Sequence, residues 1–143
     1  MTGQADEIRD ALFAEKTYHV AYEPERCVRT QRWKYIRRFD DYPLPVLPNT
    51  DDSPSKDLLL ARGWAEQPIP TEQLYDLAFD PNEARNIVDD PAVAEVLQEM
   101  RGRLKSWMRE TQDPLLDGPV PAPKGAELNG REQMSPQDPT TIV

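Results

Sequence analysis

Arg26, Arg29, Arg32, Lys34, Arg37 and Arg38 are the first residues whose type and spacing could do chemistry. They crowd into residues 26–38, which hold no acidic side chain although the whole chain carries 17 Lys and Arg against 26 Asp and Glu. The planar fork of arginine matches sulfate or phosphate oxygens bidentately, so one reading is an oxyanion-binding surface. The other is an ordinary strand with charged, solvent-facing side chains matched to acidic neighbours of the same fold. His19, the single histidine, stands beside Tyr18 at the end of an extended run and could donate to an anionic substrate. A structural histidine satisfied by its surroundings fits equally well.

Cys27, the single cysteine, allows neither an intramolecular disulfide nor a cysteine-based zinc cluster within one chain. Nothing in the sequence brings a base to it, so it reads as a buried structural thiol. The pairs Asp51-Asp52 and Asp89-Asp90 offer oxygens to a hard cation such as calcium. Acidic pairs beside proline or at a helix start are, more commonly, turns and caps. The chain shows no glycine-rich phosphate loop, no histidine pair at metal spacing and no serine in a strained turn signature.

These groups need elements to hold them. In residues 13–22, Tyr18, Val20 and Tyr22 alternate with Thr17, His19 and Ala21, the period of a strand, and Glu23-Pro24-Glu25 is expected to break it. Residues 26–38 read as a hairpin with a polar turn at Thr30 to Arg32. Its second strand carries apolar residues on both faces, Trp33 and Tyr35 against Ile36. A hairpin is marginal alone and needs further strands or a helix. Residues 39–55 hold four prolines and should be irregular.

Ser55 or Asp57 is expected to cap a short helix that Gly63 ends. Residues 72–77 read as another strand, 78–83 as a turn and 86–88 as one more extended piece. Asp90-Pro91 starts a helix, with Asp90 as N-cap, Pro91 at the first helical position and Glu95 near the positive end of the dipole. Val93, Val96, Leu97, Met100, Leu104, Trp107 and Met108 then form one apolar stripe to about residue 110. A short helical spacing also links Ile8 and Leu12.

The expected fold is α+β, a small antiparallel sheet of three or four strands packed against one long C-terminal helix, with a proline-rich tail. Residues 1–11 are expected as a flexible N-terminus and 12–117 as the folded subdomain. Residues 118–143 should be an extended or disordered tail, because proline-rich, charged segments bury too little apolar surface to order themselves. A net charge of -9 argues against nucleic acid as a partner. No apolar run is long enough for a leader or a membrane span, which fits the cytoplasm if Met1 is the true start.

Several of these stretches resemble a known family. Phe13-Ala14-Glu15, Tyr18-His19, Tyr22-Glu23-Pro24, Val28-Arg29-Thr30 and Arg32-Trp33-Lys34-Tyr35-Ile36 resemble the C-terminal region of the sulfatases. Leu74-Tyr75-Asp76-Leu77, followed by Asp80-Pro81-Asn82-Glu83 and Asn86-Ile87, is the most specific part. The closing helix and residues 107–114 look most like the heparan N-sulfatase (N-sulfoglucosamine sulfohydrolase) branch. The resemblance covers residues 12–117. It implies the C-terminal fragment or subunit of a hydrolase of sulfate esters or N-sulfates, supporting the fold and substrate pocket without being catalytic alone.

The family's formylglycine, made in a Cys/Ser-x-Pro-x-Arg signature, and its calcium ion belong to a catalytic domain. Cys27 is followed by Val28-Arg29-Thr30 and is not that signature, so the resemblance implies no cofactor in this chain. The implied partners are a sulfatase catalytic domain, in cis or as a separate chain, and a sulfated carbohydrate. By position, His19 and Arg26 are the implied substrate-side contacts. A parent enzyme of this family could also be periplasmic or secreted. The two-faced hairpin implies that the chain on its own exposes apolar surface and binds a hydrophobic dye or self-associates. The alternative is a stand-alone anion-binding or protein-interaction module. A small complete enzyme using His19 is a third reading, weakened by the absence of any visible partner for the histidine.

Overall fold

The computed structural model describes residues 9–143. The spacing that begins at Ile8, and most of the N-terminal segment 1–11, lie outside the described residues. Strands β1 (Leu12–Tyr18), β2 (Tyr22–Arg29), β3 (Trp33–Arg38) and β4 (Glu72–Asp76) form a four-stranded sheet in sequential order. Two helices, α1 (Pro54–Ala61) and α2 (Ala94–Glu110), and a two-stranded sheet of β5 (Glu127–Leu128) and β6 (Thr141–Ile142) complete the regular structure. The fold is α+β, with an antiparallel sheet packed against the longer helix, as the sequence predicts.

The chain divides into two compact units. The first takes the described part of Met1–Glu15 with Arg26–Arg37 and Glu72–Leu116; the second takes Lys16–Glu25, Arg38–Thr71 and Asp117–Val143.

In the first unit β3 and β4 pair antiparallel, with Tyr35 opposite Leu74 and Arg37 opposite Glu72. Val28, Tyr35 and Leu74 are fully buried, and α2 adds Leu97, Met100, Leu104 and Met108 from the expected stripe. Burying each such side chain contributes roughly 1.5–3 kcal/mol. Trp107 stacks on Phe13 with ring centroids 5.0 Å apart. Asp90 caps as expected, accepting the Ala92 amide at 2.9 Å, but the first turn, Pro91–Val93, is 3-10.

The end of α2 follows from its hydrogen bonds. The Asp113 amide bonds the Met108 carbonyl (2.8 Å) and the Gln112 amide bonds that of Arg109 (3.2 Å), with Gln112 at φ 54°. This is the Schellman arrangement, usually built on glycine. The expected extended piece at residues 86–88 is not a strand. Asn86 accepts the Leu74 amide (2.9 Å) and donates to the Glu72 carbonyl (3.2 Å), while the Ile87 amide bonds the Leu74 carbonyl (3.0 Å), so a side chain replaces part of a ladder.

In the second unit two expectations are corrected. Pro24 does not end a strand but lies buried within β2. Its carbonyl still accepts the Phe39 amide at 2.9 Å. Because Phe39 lies one residue past β3, the donor that proline lacks is missing only at the end of the ladder. Helix α1 is capped by Ser53, not by Ser55 or Asp57. Its side chain accepts the Lys56 amide at 3.2 Å, and Pro54 takes the first helical position. Gly63, at φ 83°, follows the helix end as expected. Residues 118–143, expected as an extended or disordered tail, carry β5 and β6 and lend Tyr18 an acceptor, the Val120 carbonyl at 2.8 Å.

Candidate functional site

Most of the basic hairpin is neutralised from within. Arg26 is 2% exposed. Its Nε and Nη2 donate to the two carboxylate oxygens of Asp113 at 2.5 and 3.1 Å. Arg32 forms a fork with Asp76 and lies over the rings of Trp33 and Phe79. Lys34 pairs with Glu83 at 2.5 Å, and Arg38 faces Glu25 and Asp40. Acidic partners match these four as that reading expects, but Arg26 and Arg38 are buried rather than solvent-facing. Cys27 is half-buried rather than buried.

Burial raises the Asp113 pKa, and the hydrogen bond from Arg26, the Leu115 amide and the Arg26 charge outweigh it, leaving the carboxyl below the usual range. Tyr35 donates to Glu72, whose oxygens also accept from Arg101. Burial and then the Glu72 hydrogen bond push the Tyr35 phenol up. The Arg101 hydrogen bond holds Glu72 down against desolvation.

His19, in the second unit, stands exposed on the turn between β1 and β2. Its backbone is closely held. Asn49 Oδ1 accepts the amides of Val20 (3.0 Å) and Ala21 (2.9 Å), and Asn49 Nδ2 reaches the Ala21 carbonyl (3.3 Å) and Glu23 (2.8 Å). The Asn129 amide bonds the Val20 carbonyl at 2.8 Å, and the His19 amide bonds that of Ala21 at 3.3 Å. An exposed imidazole on a fixed backbone is a polar group presented to solvent or a ligand. Arg26, the other candidate, belongs to the first unit. Sequence reasoning missed Asn49 and Asn129, because a loop asparagine carries no local mark of the distant amide that it will serve.

The second unit also carries a chain of charges. Lys16 reaches Glu23 (2.6 Å) and Glu25 (3.2 Å); Arg38 faces Glu25 and Asp40, both at 3.6 Å; Asp40 accepts from Arg131 at 2.5 Å. Arg131 lies over Tyr42 (4.9 Å) and Tyr22 (5.6 Å), within cation–π range of both. The two 3.6 Å links are ion pairs too long for hydrogen bonds. Among the described residues, Arg38 Nε and Nη2, Asp40 Oδ1 and the Tyr22 hydroxyl are buried without a hydrogen-bond partner. No three His, Cys, Asp or Glu side chains among the described residues gather to hold a metal ion. No helix among them is long and apolar enough to cross a membrane.

A cavity of about 370 Å³ lies in the first unit, lined by Arg9, Asp10, Ala11, Leu12, Arg29, Thr30 and Gln31. Asp10 is paired with Arg103 at 2.8 Å.

No family model matches the chain. An ulvan-active sulfatase of Formosa agariphila is 33% identical over 107 residues, covering 71% of this chain and 21% of that protein. The human N-sulphoglucosamine sulphohydrolase is 29% identical over 150 residues, 94% of this chain and 28% of its own length. The chain is a distant relative of the sulfatases. A crystal structure of a protein from Bacteroides thetaiotaomicron VPI-5482 shares the fold at a TM-score of 0.56 and 20% identity, over 94% of this chain and 25% of that one. The sulfatase-related chain thus spans between a fifth and three tenths of the length of these relatives.

Proposed function

We propose that this chain is the C-terminal part of a sulfatase, a hydrolase of sulfate esters or N-sulfates, and supports the substrate pocket without being catalytic by itself. The observation that carries this reading is sequence similarity reaching across 71% of the chain while covering 21% of a sulfatase. In this reading the formylglycine and the calcium ligands come from a catalytic domain, in the same polypeptide or in a second chain. The substrate is a sulfated carbohydrate of the kind named in its relatives, with the sulfoglucosamine branch as the finer assignment. His19 stands on the substrate side because its imidazole is exposed and its backbone held by Asn49 and Asn129. Arg26 contributes from within the fold, through its buried bond to Asp113.

The test uses the complete sulfatase, that is, this chain with its catalytic partner. His19→Ala is expected to raise KM by about tenfold, the loss of one charge-assisted hydrogen bond, with kcat changed by less than about twofold. Unchanged kinetics overturn the role of His19. Sulfate release by the 143-residue chain alone overturns the non-catalytic assignment.

A further inference from the structure

We infer that the cavity beside the hairpin turn binds a small molecule bearing a tetrahedral oxyanion, a sulfate or a phosphate group, between Arg9 and Arg29. The inference does not rest on the sulfatase reading; it follows from how the cations of this fold are used. In the basic hairpin, Arg26, Arg32, Lys34 and Arg38 each face an acidic side chain. Arg29 has no ion-pair partner among the described residues, and neither has Arg9, yet both line the same cavity. Both are exposed, so among the described residues no salt bridge has to break for an anion to arrive.

The remaining lining fits the same ligand. Asp10, the one acidic group among the described lining residues, is held by Arg103 at 2.8 Å. That hydrogen bond and the charge of Arg103 keep its carboxyl below the usual range. It therefore repels an anion less than an unpaired carboxylate would. Gln31 adds an amide, while Ala11 and the half-exposed Leu12 supply an apolar wall. Thr30 is fixed by its turn, its amide bonding the Trp33 carbonyl at 2.8 Å and its hydroxyl accepting the Trp33 amide at 2.9 Å. A volume of about 370 Å³ falls within the range of small-molecule sites, 300–1,000 Å³. Two arginines lining one cavity with apolar neighbours suit a compact body carrying one oxyanion better than an extended polyanion, which needs a longer track of cations.

The test is an amide-resolved NMR titration of the 143-residue chain with glucose 6-sulfate, glucose 6-phosphate and unsubstituted glucose. Saturable shifts are expected at Ala11, Leu12, Thr30 and Gln31 with at least one of the two anions. Tighter binding of the sulfate assigns a sulfated ligand, and tighter binding of the phosphate assigns a phosphorylated one. Arg29→Ala and Arg9→Ala should each weaken binding roughly tenfold. Arg29→Lys, which keeps the charge but not the fork, should lose less, and the same spectra report whether each variant is folded. Arg109→Ala, an exposed cation of α2 outside the cavity, should bind as the parent does. No saturable shift at these amides, equal binding of unsubstituted glucose, or an equal loss with Arg109→Ala overturns the inference.

Discussion

Removing the carboxylate of Asp113 should destabilise the first unit more than any surface substitution. The Arg26 side chain is 2% exposed and that of Asp113 1%, and their two hydrogen bonds form a fork. Asp113→Ala leaves a guanidinium buried without that partner, for which breaking a buried pair costs about 3–5 kcal/mol. It also removes the acceptor of the Leu115 amide at 3.0 Å. Glu15 remains 3.8 Å from Arg26, but its side chain is 64% exposed, so it recovers little. For a chain of this size the loss lowers Tm by roughly 6–20 °C. Replacing both partners, Arg26→Met with Asp113→Leu, should cost less than Asp113→Ala alone, because neither charge is then left buried.

The assay is urea unfolding followed by circular dichroism of the helices, completed as a double-mutant cycle. The pH dependence has a definite sign. The folded Asp113 carboxyl lies below its unfolded value of about 3.9. Its contribution is therefore present above that pH and lost as pH falls through the folded value, and the double variant should show a flatter acid limb. A loss below about 1 kcal/mol for Asp113→Ala would refute the reasoning, since it would equal an exposed pair.

Four further outcomes follow from other parts of the structure. Arg131→Ala removes the bond to Asp40 and both ring contacts, and limited proteolysis should then cut within residues 118–143 faster than in the parent; an unchanged rate would mean that Arg131 does not secure this segment. Asn49→Ala leaves the Val20 and Ala21 amides without their acceptor and should cost about 2–4 kcal/mol by chemical unfolding, where under 1 kcal/mol would deny the loop its structural role. Gln112→Gly should stabilise by up to about 1 kcal/mol, because glycine takes the left-handed conformation without strain, and destabilisation would count against the helix ending described. Un-ionised Tyr35 contributes stability in full below its unfolded pKa of about 10, and this is lost as pH rises toward its higher folded value. Tyr35→Phe should therefore flatten the alkaline limb of stability against pH, and an unchanged limb would contradict the burial of the phenol and its hydrogen bond to Glu72.

The legible parts of this fold are those where short-range pattern decides the outcome. The hairpin turn at Thr30 needs only local propensity and a threonine whose hydroxyl meets the next strand, and α2 announces itself through Asp90-Pro91 and a stripe from Leu97 to Met108. Where a rule of thumb has two outcomes, context chose the other one. Pro24 breaks no strand because its missing donor falls at a ladder end, and Ser53 caps α1 because Pro54 suits the first helical position better than Asp57 suits the cap. Gln112 gives no warning that it will end α2 as glycine does. Without that ending, Asp113 cannot be assigned to Arg26, whose burial within a basic strand was therefore invisible. His19 was legible as a residue type, but the asparagines that hold its turn act from 30 and 110 residues away, roughly, and carry no local signature.

The central claim is that this chain works as the C-terminal part of a sulfatase. The most direct test is to isolate, from cells that make the protein under native conditions, the assembly containing the peptide of residues 86–101, and to sequence it by mass spectrometry alongside an assay of sulfate release. The expected result is a sulfatase catalytic domain bearing formylglycine, either in one polypeptide much heavier than 16.4 kDa or in a second chain at equal stoichiometry. In either case the isolated assembly should be active. A product of 16.4 kDa with no sulfatase chain bound and no sulfate release would contradict the claim.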